Sequence, residues 1–527
     1  MFKFSASLGY FWISVLCSCV LLYSLAHHMR QRHFRPLPPG PKRLPLLGNL
    51  HQLPSGSQEH TFKSWAKKYG EIPISDLIYA EFIGHRTLIV NSPKVARDLL
   101  DKRGGIYSSR PRLVTMVELL GWYPNTVLLP YHSEARRRQR RWIQAAFGEK
   151  GAVRKYEGLQ RRETCIFLLS LMETPKDFTM HIIRFAAALI LESVFGHRIT
   201  SLEDEYITLM DRAMDATNAT GPAGSGIADM FPLLKYVPAW MPGADFKRKA
   251  LYARKLVWDA NHIPYDMVRK AVESGNARAS YVSELIEGAA KAGHLAEEED
   301  NIRYSAGALY SAGTDTTKTV LRTFFLAMTL HPKVYVKAQE EIDRVVGSNR
   351  LPTLEDRPNL PYIDCILKET YRWNTPVPLG LPHYLTEDDQ YEGYHIPRNT
   401  TVVANLWSMT HDERAYDNPD TFSPERFLET HANEDLKDPR NIVFGYGRRL
   451  CPGRLFGDTS LFLAMASVAA TLNIGKAQDA TGNAITPEAK FLSSFISYPA
   501  DYECSITPRS TATISVVAET LASLESS

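Results

Sequence analysis

The chain opens on an apolar run. Leu8 to Ala26 carries no charge, and its length comes close to the ~20 residues that cross a bilayer as a helix. Only Lys3 precedes it, whereas Arg30, Arg32 and Arg35 follow beside His27 and His28. The positive-inside rule then puts the rest of the chain on the cytosolic side. A cleaved signal peptide is the competing reading, but the run is long for one and no small-x-small site follows it. Pro36-Leu37-Pro38-Pro39-Gly40-Pro41 predicts a stiff extended stretch, acting as a linker, as a spacer that sets the body against the membrane, or as both. Further along, Thr87–Val90 and Thr401–Ala404 read as short strands. Helical periodicity dominates elsewhere: Asn301 to His331, ended by Pro332; Val334 to Val346, with an apolar stripe; and Pro361 to Trp373. Thr217 to Gly226 breaks two helices apart. The pattern predicts a tail over 1–7, one transmembrane helix over 8–26, a basic Pro-rich hinge over 27–45, and a single mainly α body with a minor β part over 46–510. The small, polar segment 511–527 is expected to fray.

Composition changes little: 44% hydrophobic and 23% charged residues are ordinary for a globular chain. A net charge of +3 is too mild to argue for nucleic acid. The cysteines Cys17, Cys19, Cys165, Cys365, Cys451 and Cys504 are too few and scattered for a disulfide framework and share no C-x-x-C spacing. Reduced thiols facing the cytosol fit best. A cytosolic body would also leave the sequons at Asn218 and Asn399 unmodified.

One cysteine stands apart. Phe444 to Gly453 reads FGYGRRLCPG. Glycines at Gly445, Gly447 and Gly453 allow tight turns and close backbone approach, so N–H groups can point at a sulfur. Arg449 can reach an anionic group by charge-assisted hydrogen bonds. The apolar run after Leu455 predicts a helix that begins beside Cys451, and a helix N-terminus favours a thiolate. The segment resembles the heme-binding signature of the cytochrome P450 superfamily, F-x-x-G-x-R-x-C-x-G, with every fixed position filled by Phe444, Gly447, Arg449, Cys451 and Gly453. An inert buried cysteine in a glycine-rich turn is the bland alternative.

Other segments extend the resemblance. Glu369-Thr370-Tyr371-Arg372 matches the family's E-x-x-R, whose two charges share one helix face. Pro424-Glu425-Arg426-Phe427 supplies the arginine that, in the family, joins them in a buried network, which implies a structural role for Glu369, Arg372 and Arg426. Ala312-Gly313-Thr314-Asp315-Thr316-Thr317 matches [AG]-G-x-[DE]-T-[TS]. Small residues there let a flat cofactor approach, and a hydroxyl beside a carboxylate is what proton delivery to dioxygen requires. The resemblance implies Thr316 as the donor-side hydroxyl and Asp315 as its link to solvent. It also places His383 at a heme propionate, unless it is a surface loop histidine. In Arg136–Arg141, where the family usually shows W-x-x-x-R, Arg140 takes the arginine position and Arg136 stands where tryptophan is expected. The alternative there is a solvated basic face, suited to an electron donor with an acidic surface.

Together these imply a cytochrome P450 fold of the fungal microsomal type, preceded by its transmembrane anchor in the endoplasmic reticulum membrane. They imply heme b with Cys451 as axial iron ligand, whose electron push favours O–O cleavage. Electrons would come from NADPH through a separate reductase, with cytochrome b5 as a possible second donor. The expected substrate is a small apolar molecule, a terpenoid or polyketide by analogy, in a pocket built from about 105–130, 210–245, 305–316, 375–383 and 492–498. Two other readings remain at this point: a heme-thiolate enzyme of desaturation, rearrangement or multi-step oxidation, and a membrane-anchored protein that binds heme without catalysis.

Overall fold

The computed structural model describes residues 36–54, 56–69, 76–201, 203–221, 223–428 and 438–526. The apolar run expected to anchor the chain lies outside the described residues. The body is mainly helical with small sheets. The helices used below are α1 (Glu134–Phe147), α2 (Glu157–Glu173), α3 (Phe178–Phe195), α4 (Glu205–Asn218), α5 (Asp245–Glu273), α6 (Leu295–Leu330), α7 (Pro361–Trp373), α8 (Arg454–Thr471) and α9 (Thr511–Ser526).

α6 is the axis of the body. Its 36 residues make it about 54 Å long at 1.5 Å per residue. It begins earlier than the apolar pattern predicts, at Leu295, because its first turn is acidic rather than apolar. Glu297 and Glu298 there complement the positive end of the helix dipole. From Ser305 to Thr329 most of its side chains are buried. α3 lies across it, and a Cβ on Gly313 would come within 2.6 Å of Ile190 Cδ1. Glycine is therefore what lets the two helices close. α3 is also apolar and long enough to cross a membrane, but most of its side chains are buried in the protein core. The helix Pro332–Val345 follows, with its proline in the first turn, where a missing N–H costs nothing.

Both expected strands form, and they pair with each other. β1 (Leu77–Phe82), β2 (His85–Val90), β3 (His383–Tyr384) and β4 (Thr401–Ala404) make one sheet in the order β1-β2-β4-β3. β2 and β4 run parallel, with Thr87 opposite Thr401 and Val90 opposite Ala404. β2 buries every residue of the shared stretch, while β4 buries Val402 and Ala404 and leaves Thr401 and Val403 half-buried.

The expectation that 511–527 frays is overturned for the described part. Thr511–Ser526 is a helix packed along α2. Val517 is fully buried, and Leu521 and Leu524 pack against the main core. That helical spacing was masked by the small residues between these positions. Arg198 and Glu525 pair across the contact.

Under the cysteine loop lies a buried ionic network. Arg372 and Glu369, three residues apart on α7, are both fully buried. Arg372 Nε and Nη2 donate to the Glu369 carboxylate at 2.7 and 2.8 Å. Its remaining N–H groups reach the carbonyls of Thr410, Pro419 and Thr421. Arg426 Nε and the Ser423 N–H complete the Glu369 shell at 3.2 and 2.7 Å. The pair pins three loop carbonyls to α7, and among the described residues Arg372 has no other ion-pair partner. Glu369→Ala should therefore cost about 3–5 kcal/mol, the cost of stranding one member of a buried pair. A lowered thermal unfolding midpoint reads this out, with the exposed Glu134→Ala as a control that stays near the parent value.

Candidate functional site

The loop 444–453 turns tightly because two glycines take left-handed conformations, Gly445 at φ 78 and Gly447 at φ 57. At Gly447 a side chain is excluded twice over, since its Cβ would stand 2.1 Å from the Leu100 carbonyl oxygen. Gly453 differs from expectation: at φ −87 it needs no glycine for the turn, and open space surrounds its Cβ position. Its missing side chain keeps the ground beside the sulfur clear. The Cys451 N–H donates to Phe444 O at 2.9 Å, and α8 begins at Arg454. The thiol faces a cavity of about 380 Å³. Burial pushes the thiol up, while the Gly453 and Arg454 N–H groups and the charges of Arg140 and Arg454 pull it down.

Arginines crowd the same end of the cavity. Arg110, Arg136, Arg140 and Arg449 all line it. Arg449 donates to the carbonyls of Ser108, Thr126 and Leu129. Arg110 donates to those of Val127, Leu381 and Pro382. Arg136 Nη2 donates to Arg448 O at 2.7 Å, and its guanidinium lies over the Tyr131 ring. Four residues on, Arg140 shares that face of α1, whereas Arg137 and Arg141 are exposed. The position where the family's tryptophan was expected thus brings a second cation to the cavity. No carboxylate pairs with any of the four among the described residues. Burial, then mutual repulsion, holds Arg449 and Arg110 well below their ordinary values. A guanidinium keeps its proton in a protein, so this stress calls for an anion. His383 lines the same end, with Nδ1 donating to Tyr107 O at 2.9 Å. Burial, then Arg110 and Arg449, holds it well below its ordinary value. Its Nε2 can donate to an anion only in the doubly protonated ring.

The Thr316 side chain reaches the cavity from α6, its Oγ1 donating to Ala312 O at 2.7 Å. Asp315 does not reach it. Expected as a link to solvent, it is buried and accepts from Lys318 Nζ at 2.8 Å. Consecutive helical residues point about 100° apart, and here Thr316 takes the cavity side while Asp315 is turned to Lys318.

Comparison with known proteins now decides the family: its profile, described as cytochrome P450, matches residues 38–487. The chain belongs to the cytochrome P450 family. It is 42% identical over 510 residues to cytochrome P450 monooxygenase 136 of Postia placenta, covering 96% of this chain and 95% of that one. Monooxygenase claR of Ampulloclitocybe clavipes is 40% identical over 501 residues, covering 94% and 90%. Monooxygenase ple1 of Rhodocybe pseudopiperita is 34% identical over 499 residues, covering 94% of each. The chain is a cytochrome P450 monooxygenase, and the family implies a heme-thiolate centre and a reductase partner.

The residues present fit that cofactor. Heme b brings an apolar plate, two carboxylates and an iron. The cavity of this cytochrome P450 offers apolar walls, unpaired guanidinium groups at one end and a sulfur beside them. Phe444 lines it too, set edge-on to Tyr371 with ring centroids 5.5 Å apart. Arg110 carries no motif in its surroundings and escaped sequence reasoning, as did Ile190 and Val194 of α3, which reach the cavity because Gly313 lets α3 close. The expected lining over 210–245 narrows to Met214 and Thr217. Beyond them, Leu233 and Trp240 lie at the surface, 80% and 79% exposed.

The geometry predicts that Arg449→Leu lowers heme retained per protein several-fold, because it removes a cation and leaves three backbone carbonyls unpaired. Heme-to-protein absorbance of the purified variant measures this. The exposed Arg137→Leu should retain parental loading.

Proposed function

We propose that this cytochrome P450 is held to the endoplasmic reticulum membrane by residues 8–26 and inserts one oxygen atom of O2 into a small, uncharged, largely hydrocarbon molecule of fungal secondary metabolism, of terpenoid or polyketide type. The observation that carries the substrate class is the segregation of charge in the cavity. All its charged side chains gather at the cysteine end. The opposite wall is apolar, built from Met116, Ile190, Val194, Met214, Leu309 and Ile496. The Thr217 hydroxyl, which also lines the cavity, is already engaged. It donates to Ala213 O and accepts from Trp122 Nε1. A charged substrate would lose its hydration without a counter-ion.

In this reading Cys451 would hold the heme iron through its thiolate, with the Gly453 and Arg454 N–H groups tempering its charge. Arg140 and Arg449 would hold the propionates, with Arg110 and Arg136 joining them, and His383 would donate to one once that anion had drawn a second proton onto its ring. Bound heme supplies O2 binding and O–O cleavage, with the thiolate favouring the latter. The chain's own part is to orient the substrate, exclude water with the apolar wall and move protons at Thr316 Oγ1, with Asp315 behind it. Electrons come from NADPH through a flavoprotein reductase, and the exposed Arg137 and Arg141 offer it a basic surface. Membrane attachment draws support from the surface. Exposed Leu46 and Leu47 lead into Gly48, which bridges to Phe82, and His85 contacts Met230 O beside the exposed Phe231. The first residues of the body and the apolar segment 231–241 therefore meet at one β1–β2 turn.

The test is spectroscopic first. The reduced holoenzyme with CO should show the strongly red-shifted Soret band of thiolate ligation. Cys451→Ala should lose both the band and turnover; a variant that keeps them puts the ligand elsewhere. With reductase, NADPH and a panel of terpenoids and polyketides, 18O from labelled O2 should appear in the product. Turnover without label would instead point to desaturation or rearrangement.

A further inference from the structure

Asp315 and Thr316 are neighbours on α6, yet Asp315 faces Lys318 and Thr316 faces the cavity. A carboxylate held at 2.8 Å by an ammonium is not free to serve the Thr316 hydroxyl. To do so it must let go of Lys318, whose side chain is only 20% exposed. An ammonium left alone at that depth is penalised by its lost hydration. A second carboxylate is in place to prevent this. Asp211 on α4 holds its Oδ1 3.8 Å from the same Nζ. That is beyond hydrogen-bond reach and within ion-pair reach. Its side chain is 27% exposed against 6% for Asp315, so it stands on the solvent side of the lysine.

We propose that Asp211 is a positioning residue for proton delivery: it takes over Lys318 when Asp315 turns towards Thr316, and so sets how readily Asp315 is released. The inference rests on the role given above to Thr316 and Asp315. The exchange breaks one ion pair and forms another, and by itself moves no proton. The charged and titratable groups facing Asp211 are Lys318, Asp315 and Tyr310 from α6 and Asp215 from its own helix. Three carboxylates thus share one ammonium. Burial, helped by Asp315 and Asp215 and opposed by Lys318, pushes Asp211 up to about 6. Asp211 competes for the lysine above that pH and is neutral below it.

The test uses the full-length holoenzyme in membranes with reductase, following NADPH oxidation and peroxide release in H2O and D2O. Asp211→Asn should slow turnover about tenfold and raise the solvent isotope effect. That is well below the roughly 10²–10⁴-fold loss of a group that itself transfers the proton. Asp211→Glu should restore most of the rate. In a Lys318→Met background, where nothing holds Asp315, Asp211→Asn should add no further loss. Unchanged turnover in Asp211→Asn, or an equal loss in the Lys318→Met background, overturns the inference. Asp315→Asn separates the two layers. If it leaves the isotope effect unchanged, the reading of Thr316 and Asp315 falls and this inference with it. If it raises the effect and Asp211→Asn does not, this inference alone falls. Thermal unfolding gives a readout independent of turnover. Folding raises Asp211 from 3.8 to about 6, so the folded state holds this proton more tightly, and the stability it contributes is lost as pH rises through 6. The midpoint of Asp211→Asn minus that of the parent should climb from about pH 4 to just above pH 6 and then level off. A flat difference overturns the assignment of Asp211 as the group exchanging with Asp315.

Discussion

Buried positive charge without a protein counter-charge is the constraint on which the site depends. Arg110, Arg136, Arg140 and Arg449 converge where no described carboxylate answers them. Elsewhere the same chain pairs its buried arginines with care: Arg372 with Glu369, Arg184 with Glu163. The difference is not a matter of depth, since Arg372 is the more buried. Backbone carbonyls hold Arg110 and Arg449 in position but supply only dipoles. The full charge has to come from a bound dianion, so the end of the cavity that holds Cys451 is built for a ligand before any ligand is considered. The sulfur obeys the same logic, since burial opposes the thiolate and the charges of Arg140 and Arg454 offset only part of that.

The sequence made the elements legible far better than their partners. Thr87–Val90 and Thr401–Ala404 read as strands because their apolar runs are local. That they pair in parallel with each other is long-range information, and periodicity holds none. Pro361–Trp373 carries its own start and stop and is found at the expected bounds. The acidic first turn of α6 and the diluted stripe Val517, Leu521, Leu524 of α9 failed the same test, because both helices depend on something other than a dense apolar face. For the site, Cys451, Phe444, Arg449, Arg140, His383 and Thr316 were legible through spaced motifs, and all of them line the cavity. Arg110 was not, because its place is set by two backbone carbonyls more than 250 residues away. Gly453 was legible for the wrong reason, the turn being made by Gly445 and Gly447.

The cavity also separates two tasks by chemistry. Charge sits with the sulfur, where a cofactor's carboxylates would neutralise it. The opposite wall has almost no polar group with unused bonding capacity. Specificity among apolar molecules then comes from shape, and shape alone discriminates weakly: one methylene is worth about 1–3 kcal/mol. The chain holds that wall with Met116 and Met214, side chains that adapt. Ile190, wedged against Gly313, is the stiff element among them, so the α3–α6 crossing sets the depth of the wall while the methionines set its contour.

α6 shows why adjacent motif residues need not act at one place. A helix turns about 100° per residue, and Thr316 and Asp315 look into different environments, one open to the cavity and one closed by Lys318. Sequence adjacency brings hydroxyl and carboxylate within a side chain's swing and leaves the neighbouring helix to decide which way the carboxylate turns. In this chain that neighbour is α4, which lines the cavity through Met214 and Thr217 and faces Lys318 through Asp211 one turn earlier. A shift of α4 that widened the cavity would therefore also move Asp211 against the lysine. Met214 and Asp211 lie one turn apart on α4, so on the reading proposed for Asp315 the wall of the pocket and the contact with Lys318 would shift together.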